Sequence, residues 1–424
     1  MIPEQVRKIL KNTTFKGVAT LVSGTAIAQL ILIVFQLVLR RQYAPEVFGT
    51  FGVYMSIVGI LVILSTLRYD LAVVLPKHDK TANSLLVAGV LLSLTINIFL
   101  FIIAAIFRDS LVSLIGFPEK YKNWIFFIPV STFLFSSYQM INYWLTRKGA
   151  FRSIATNKII RRSFEGTTQS GFGFLATNKG LIFGDIIGNI VNILSGIKQA
   201  SKNGFTFKGV SPTHIKFSLK RYRNFPKYQA LPALLNTASI LLPIFLINKY
   251  FSHDTAGYFD LSRQILAVPI AFITAALSQV LLKDYSGRII KKQKLKTNIL
   301  KTAGLLSVLI LPFLILIMLF GEELFGFVFS PVWTQSGAFS AILVPAFAIQ
   351  FIVSPLSISF TVLEELKILA IWQITYFLLI SCLYFFTGLS IEKFLIIFTI
   401  INILSYLIYF ILILHVCNKY DKTI

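Results

Sequence analysis

Leu305-Leu-Ser-Val-Leu-Ile-Leu-Pro-Phe-Leu-Ile-Leu-Ile-Met-Leu-Phe320 runs for sixteen residues without a charge. A bilayer core is about 30 Å thick and a helix rises about 1.5 Å per residue, so a spanning helix needs roughly 20 mostly apolar residues in a row. Extended to 299–320, this stretch meets that length, and it is too long and too uniform for a barrel strand with alternating faces. The same ruler applied outward finds eleven more segments: 18–39, 47–67, 83–106, 124–144, 153–176, 179–197, 229–248, 257–281, 336–357, 368–388 and 394–416. The fifth and sixth are the most polar, with Arg161, Arg162 and Glu165 in one and Asp185, Asn189 and Asn192 in the other.

The whole chain agrees with these segments. Its 424 residues are 56% hydrophobic and 13% charged, and its mean hydropathy is +0.77. A soluble domain of this length carries roughly a quarter of its residues as charges, so a water-soluble enzyme and a disordered chain are both excluded. The first apolar run follows Arg7, Lys8, Lys11 and Lys16 and lacks a small-residue cleavage site, so it is expected to be a retained helix.

Forty basic against 17 acidic residues give a net charge of +23. With the N-terminus placed inside, 31 of the 40 Lys and Arg fall in cytoplasmic segments and 8 outside, leaving Arg263 within a span. That asymmetry predicts both termini in the cytoplasm, as an even number of helices requires. The charge is therefore read as topology and contact with anionic membrane lipids, with no nucleic acid as partner. The basic segment 199–228 reads as a connector between an N-terminal lobe, 1–198, and a C-terminal lobe, 229–424. A second basic loop contains Lys291-Lys292-Gln293-Lys294-Leu295-Lys296.

The two halves repeat. Arg41-Gln-Tyr-Ala-Pro-Glu-Val-Phe-Gly-Thr-Phe51 aligns with Lys249-Tyr-Phe-Ser-His-Asp-Thr-Ala-Gly-Tyr-Phe259 at an offset of 208, with basic, aromatic, acidic, Gly and Phe positions coinciding. Each copy reads as a short outward turn before a helix that opens at Gly49 or Gly257. Six helices per copy make the repeat parallel, about an axis along the membrane normal.

Four stretches carry a family resemblance: Val18-Ala-Thr-Leu-Val-Ser-Gly-Thr-Ala-Ile-Ala-Gln29, Tyr43-Ala-Pro-Glu-Val-Phe-Gly-Thr-Phe-Gly52, Leu67-Arg-Tyr-Asp-Leu-Ala-Val-Val-Leu-Pro76 and Gly257-Tyr-Phe-Asp260. The chain resembles the Wzx-type polysaccharide flippases of the multidrug/oligosaccharidyl-lipid/polysaccharide exporter superfamily. The resemblance implies an all-α membrane protein of two pseudo-symmetric six-helix lobes in a V-shaped, MATE-like arrangement. It further implies a bacterial cytoplasmic membrane location and transport of undecaprenyl-diphosphate-linked oligosaccharide by alternating access, for O-antigen, capsule or exopolysaccharide. Polysaccharide polymerase machinery would be its neighbour and an H+ or Na+ gradient its source of energy.

Ionisable residues at membrane depth are functional candidates, because each is costly there unless paired or hydrated. Arg161 and Glu165 stand at i,i+4 on one helical face and fit a polar cavity, or else Arg161 and Arg162, counted above with the cytoplasmic residues, form the cytoplasmic end of a short helix starting near Phe164. Asp185, Asn189 and Asn192 form a stripe on the next helix, and Thr25, Gln29 and Gln36 another on the first; such stripes also hold helices together. Arg263 lies about six residues into its helix with Asp260 one turn earlier, which fits either a local pair or a cavity cation. An Arg fork matches phosphate oxygens, so Arg263 and Arg161 are diphosphate candidates, joined by Arg40 and Arg41, which could equally snorkel to headgroups. Asp185, Glu165 and Asp260, with Gln29 and Asn189, are the ion-coupling or cavity-lining candidates. Arg68 and Asp70 read as a structural pair. Of the prolines within spans, Pro232 and Pro243 share the seventh, where a bend is expected.

No cofactor is expected: there is no Walker loop, no HExxH, and Cys382 and Cys417 make no metal pattern. An ion-coupled drug or metabolite antiporter of the same superfamily is the alternative; such exporters use acidic cavity residues for cationic cargo, whereas the deep charges here include three arginines. A polysaccharide polymerase would need a large outer loop, and the longest here is 107–123.

Overall fold

The computed structural model describes residues 13–424. Side chains are described for all of these except 13–19, 21, 22, 271–273, 275, 276, 278, 279, 283 and 366. Arg7, Lys8, Lys11 and the Lys16 side chain, which carry the N-terminal topology signal, lie outside the described residues.

Twelve long helices occur among the described residues, one for each predicted segment. They are α1 (Thr13–Gln42), α2 (Pro45–Thr66), α4 (Asp79–Ile106), α6 (Phe127–Arg147), α7 (Phe151–Phe174), α8 (Gly180–Lys202), α10 (Leu231–Tyr250), α11 (His253–Ile290), α12 (Lys296–Val328), α13 (Thr334–Leu356), α15 (Leu366–Ser381) and α16 (Ile391–Asp421). Between them lie the short helices α3 (Tyr69–Ala72), α5 (Arg108–Ile115), α9 (Pro212–Arg221) and α14 (Ile358–Val362). Ten helices among the described residues are long and apolar enough to cross a membrane. The two long helices outside that set are α7 and α11, which carry Arg161, Arg162, Asp260 and Arg263. Large apolar side chains such as Leu305, Val308 and Leu319 stand exposed along α12, as only a lipid-facing surface tolerates. This is an all-α, multi-pass membrane protein.

The chain forms two compact units. The first runs through Tyr43 and from Val53 to Thr237; the second takes Ala44–Gly52 and Ala238–Ile424. In the first, Val73, Leu85, Met140, Trp144 and Ile154 form a buried core. The segment 199–228 is folded onto it. Phe205 meets Trp144 edge-on, with ring centroids 5.7 Å apart, and the Tyr69 hydroxyl donates to the Leu219 carbonyl of α9 at 3.1 Å. Ser211 starts α9 by accepting from the His214 amide at 3.3 Å, an N-cap that a serine hydroxyl supplies well. Arg68 and Asp70 pair at 3.8 Å, and burial raises the Asp70 carboxyl above its ordinary range, with Arg68 opposing that shift.

In the second unit, Leu306, Ile310 and Phe351 form part of a core between α12 and α13. The rings of Tyr376, Trp372, Tyr409 and Phe360 stack in a ladder, with successive centroids 5.3, 3.8 and 5.5 Å apart. The Asp421 carboxylate at the end of α16 accepts from the Leu295 and Lys296 amides at 2.7 and 3.0 Å, capping the start of α12.

The expected bend takes another form. α10 continues through Pro243, and a π-helical turn, Pro226–Ala230, precedes it. The helical dihedrals break instead at Phe320 in α12, beside Gly321. A Cβ there would stand 2.9 Å from the Gly337 carbonyl of α13. Close glycine packing accounts for the break, since Pro312 lies two turns away.

The repeat is real in register and different in its use of glycine. α2 starts at Pro45 and α11 at His253, again 208 residues apart. The helices therefore open one turn before Gly49 and Gly257. A Cβ on Gly49 would collide with the His253 carbonyl oxygen and stand 2.8 Å from the Gly257 amide. A Cβ on Gly257 would collide with the Pro45 carbonyl oxygen. Each glycine thus admits the first turn of the other copy.

Candidate functional site

The first unit gathers its buried charges where α7 crosses α8. On α8, Gly184 and Gly188 have no side chains to hold α7 away. A Cβ at Gly184 would stand 2.9 Å from the Glu165 carbonyl oxygen, and one at Gly188 2.9 Å from Glu165 Cβ. This close approach, a small-residue helix seam of the kind membranes favour, brings the Arg161–Glu165 face of α7 onto the Asp185–Asn189 face of α8. Arg161 reaches Asp185 at 3.4 Å and Glu165 at 3.8 Å, while Arg162 holds Glu165 at 2.9 Å. The Arg161 guanidinium also lies 4.2 Å from the centre of the Phe135 ring on α6, a favourable cation–π geometry.

Asp185 is fully buried and densely bonded. Ser131 of α6 donates to one of its carboxylate oxygens at 2.9 Å, and Asn189 donates to the other at 2.9 Å. Tyr54 donates to Ser131 at 2.7 Å, so a chain of hydroxyls leads from α2 to the carboxylate. Buried charges persist only when paired and hydrogen-bonded, and the Asp185 carboxylate meets both conditions.

Arg161, Glu165, Asp185 and Asn189, named from sequence on two separate helices, are thus brought together. Tyr54, Ser131 and Phe135 were missed, because single hydroxyl and aromatic residues carry no signal in an apolar helix. The small-residue ridge of Gly180, Gly184 and Gly188 at four-residue spacing was the available signal for the helix contact.

The second unit holds a separate, local pair. Arg263 meets Asp260 at 3.5 Å, one turn apart on α11, and Gln264 donates to Asp260 at 2.6 Å. Of the α1 candidates, Arg40 is only 1% exposed and donates to Gln36 at 3.0 Å. It therefore does not snorkel to the headgroups, because its guanidinium is folded back along its own helix; Arg41 is the exposed member. Gln29 is half-buried on α1 and takes no part in the hydrogen bonds of the charged cluster.

Comparison with known proteins places this architecture. A family model described as "Polysaccharide biosynthesis protein" matches residues 38–338. The succinoglycan biosynthesis transport protein ExoT of Rhizobium meliloti (strain 1021) is 20% identical over 307 residues, covering 70% of this chain and 59% of its own length. The chain thus spans about three fifths of that curated relative. Among solved structures, the inward-facing conformation of a multidrug resistance MATE family transporter of the MOP superfamily superposes with a TM-score of 0.71 at 17% identity, covering 95% of this chain and 99% of that one. A MOP superfamily transporter from Pyrococcus furiosus, described as having a binding pocket of reverse polarity that suggests a different function, gives 0.63 at 16% identity, with 98% of each chain covered. The match across most of its length makes the chain a member of the polysaccharide biosynthesis protein family, built on the MATE-like fold of the MOP-superfamily transporters.

Proposed function

We propose that this transporter flips undecaprenyl-diphosphate-linked oligosaccharide repeat units across the bacterial cytoplasmic membrane by alternating access, for O-antigen, capsule or exopolysaccharide assembly. The observation that carries the reading is the excess of cations at membrane depth on α7, where Lys158, Arg161 and Arg162 stand against Glu165. A positively charged interior suits a diphosphate, while the sugars follow it and the lipid tail stays in the bilayer. Arg40 and Arg41 at the end of α1 in the first unit, and Arg263 in the second, are the further diphosphate candidates in this scheme. Asp185 is the first choice for H+ or Na+ coupling, since protonating it would loosen its hold on Arg161; Glu165 and Asp260, each paired with an arginine, are the further candidates.

The drug-antiporter alternative is weaker, because the buried carboxylates among the described residues, Asp70, Glu165, Asp185 and Asp260, each pair with an arginine. The deciding experiment is the sidedness of lipid-linked repeat units in a deletion strain. Accumulation on the cytoplasmic face supports flipping. Accumulation of single repeat units on the outer face would assign the block to polymerisation and sink the proposal.

A further inference from the structure

The charges on α7 do not cancel. Arg161 and Arg162 share Glu165, and Arg161 also engages Asp185. With Lys158, three cations face two anions, and the surplus charge falls at Lys158. This half-buried residue meets no carboxylate among the described residues; its ammonium donates to the Thr25 hydroxyl of α1 at 2.9 Å.

The two helices are held close one turn earlier, where a Cβ on Gly24 would stand 3.1 Å from Ala155 Cα. That spacing sets the Thr25 hydroxyl within reach of Lys158. An ammonium has three donors and Thr25 occupies one. Two donors and an uncompensated charge remain, a short way from bulk water. Lys158 is the eighth residue of α7, roughly 10 Å along the helix from its start. The basic-residue census assigns that end to the cytoplasm, where a lipid-linked cargo is loaded.

We infer that Lys158, positioned by Thr25, is the loading contact for a phosphate-bearing lipid headgroup, specifically a lipid diphosphate. The inference rests on the flippase reading. It differs in assigning first contact to the lysine that has no carboxylate, whereas Arg161 and Arg263 must first give up theirs. A compact ammonium on a flexible stem accepts phosphate oxygens from many directions, which suits capture of a diffusing headgroup.

The test uses the full chain in phosphatidylcholine nanodiscs, titrated separately with undecaprenyl diphosphate, inorganic diphosphate and phosphatidylglycerol, with binding read by native mass spectrometry. Lys158→Ala and Lys158→Gln are expected to weaken undecaprenyl diphosphate binding at least tenfold at unchanged melting temperature. Lys158→Arg should stay within threefold of the parent, and Arg152→Ala, an exposed cation on the same helix, should match it. Parental affinity in Lys158→Ala overturns the inference, as does a Lys158→Arg protein as weak as the alanine variant. Equal affinity for phosphatidylglycerol or for inorganic diphosphate would also overturn it, by assigning the contact to bulk lipid or to the free anion. The sidedness assay in the deletion strain reports on flipping independently, so the loss of Lys158 as a contact and the loss of the flippase reading give different results.

Discussion

Arg161 and Asp185, on adjacent helices and 24 residues apart in sequence, form a buried ion pair at 3.4 Å whose carboxylate also accepts from Ser131 and Asn189. Removing one member leaves the other buried charge without this partner. Asp185→Asn or Arg161→Ala should each destabilise the solubilised protein by about 3–5 kcal/mol, whereas the apolar double variant Arg161→Met/Asp185→Leu should recover much of the loss. Thermal unfolding in detergent measures this. A double variant less stable than both singles would show that the pair is not the main contribution.

Gly188 fixes the distance between α7 and α8. Gly188→Ala brings a methyl to 2.9 Å from Glu165 Cβ and should cost about 1–3 kcal/mol, as overpacking does. The same change at Gly304, where nothing lies within 4 Å, should be neutral or slightly stabilising. Melting temperatures of the two variants provide the comparison.

Asp260 is buried and Arg263 lies a quarter exposed beside it, and Gln264 still donates to the carboxylate when the arginine is removed. Arg263→Ala should therefore insert and melt like the parent while surface polysaccharide falls. Quantifying polysaccharide at matched protein level tests this, and an unchanged amount removes Arg263 from the transport path.

Asp421 acts as an N-cap supplied by a distant helix. Asp421→Ala should cost about 1 kcal/mol, with Asp421→Asn retaining part of the effect because the amide oxygen still accepts. Amide exchange at Leu295 and Lys296 should accelerate in the alanine variant; unaltered protection would mean that the cap is dispensable.

The twelve segments were legible because lipid demands length and apolarity of every crossing. Within the site, only contacts along one helix could be read: Arg161 with Glu165, and Arg263 with Asp260, follow from helical spacing. The link to Asp185 depends on which faces α7 and α8 bury, and that choice is made by the glycine ridge on α8. Lys158 lies within the fifth predicted segment, 153–176, but its neighbour Thr25 is on another helix and helical spacing alone could not pair them. Arg40 misled for a different reason. Its position at a helix end suggested a headgroup contact, but the helix continues to Gln42 and buries it. The connector 199–228 reads as a linker from its charge, while its apolar residues Phe205, Leu219, Tyr222 and Phe225 are spaced to pack on the first unit's core.

At the crossing of Gly49 and Gly257, each glycine receives the opening turn of the other copy, Pro45 or His253, so the repeated element carries both the knob and the hole. A contact that uses the same element twice is self-complementary, so one constraint binds both copies of the repeat: enlarging either glycine would push against the opening turn of the other copy.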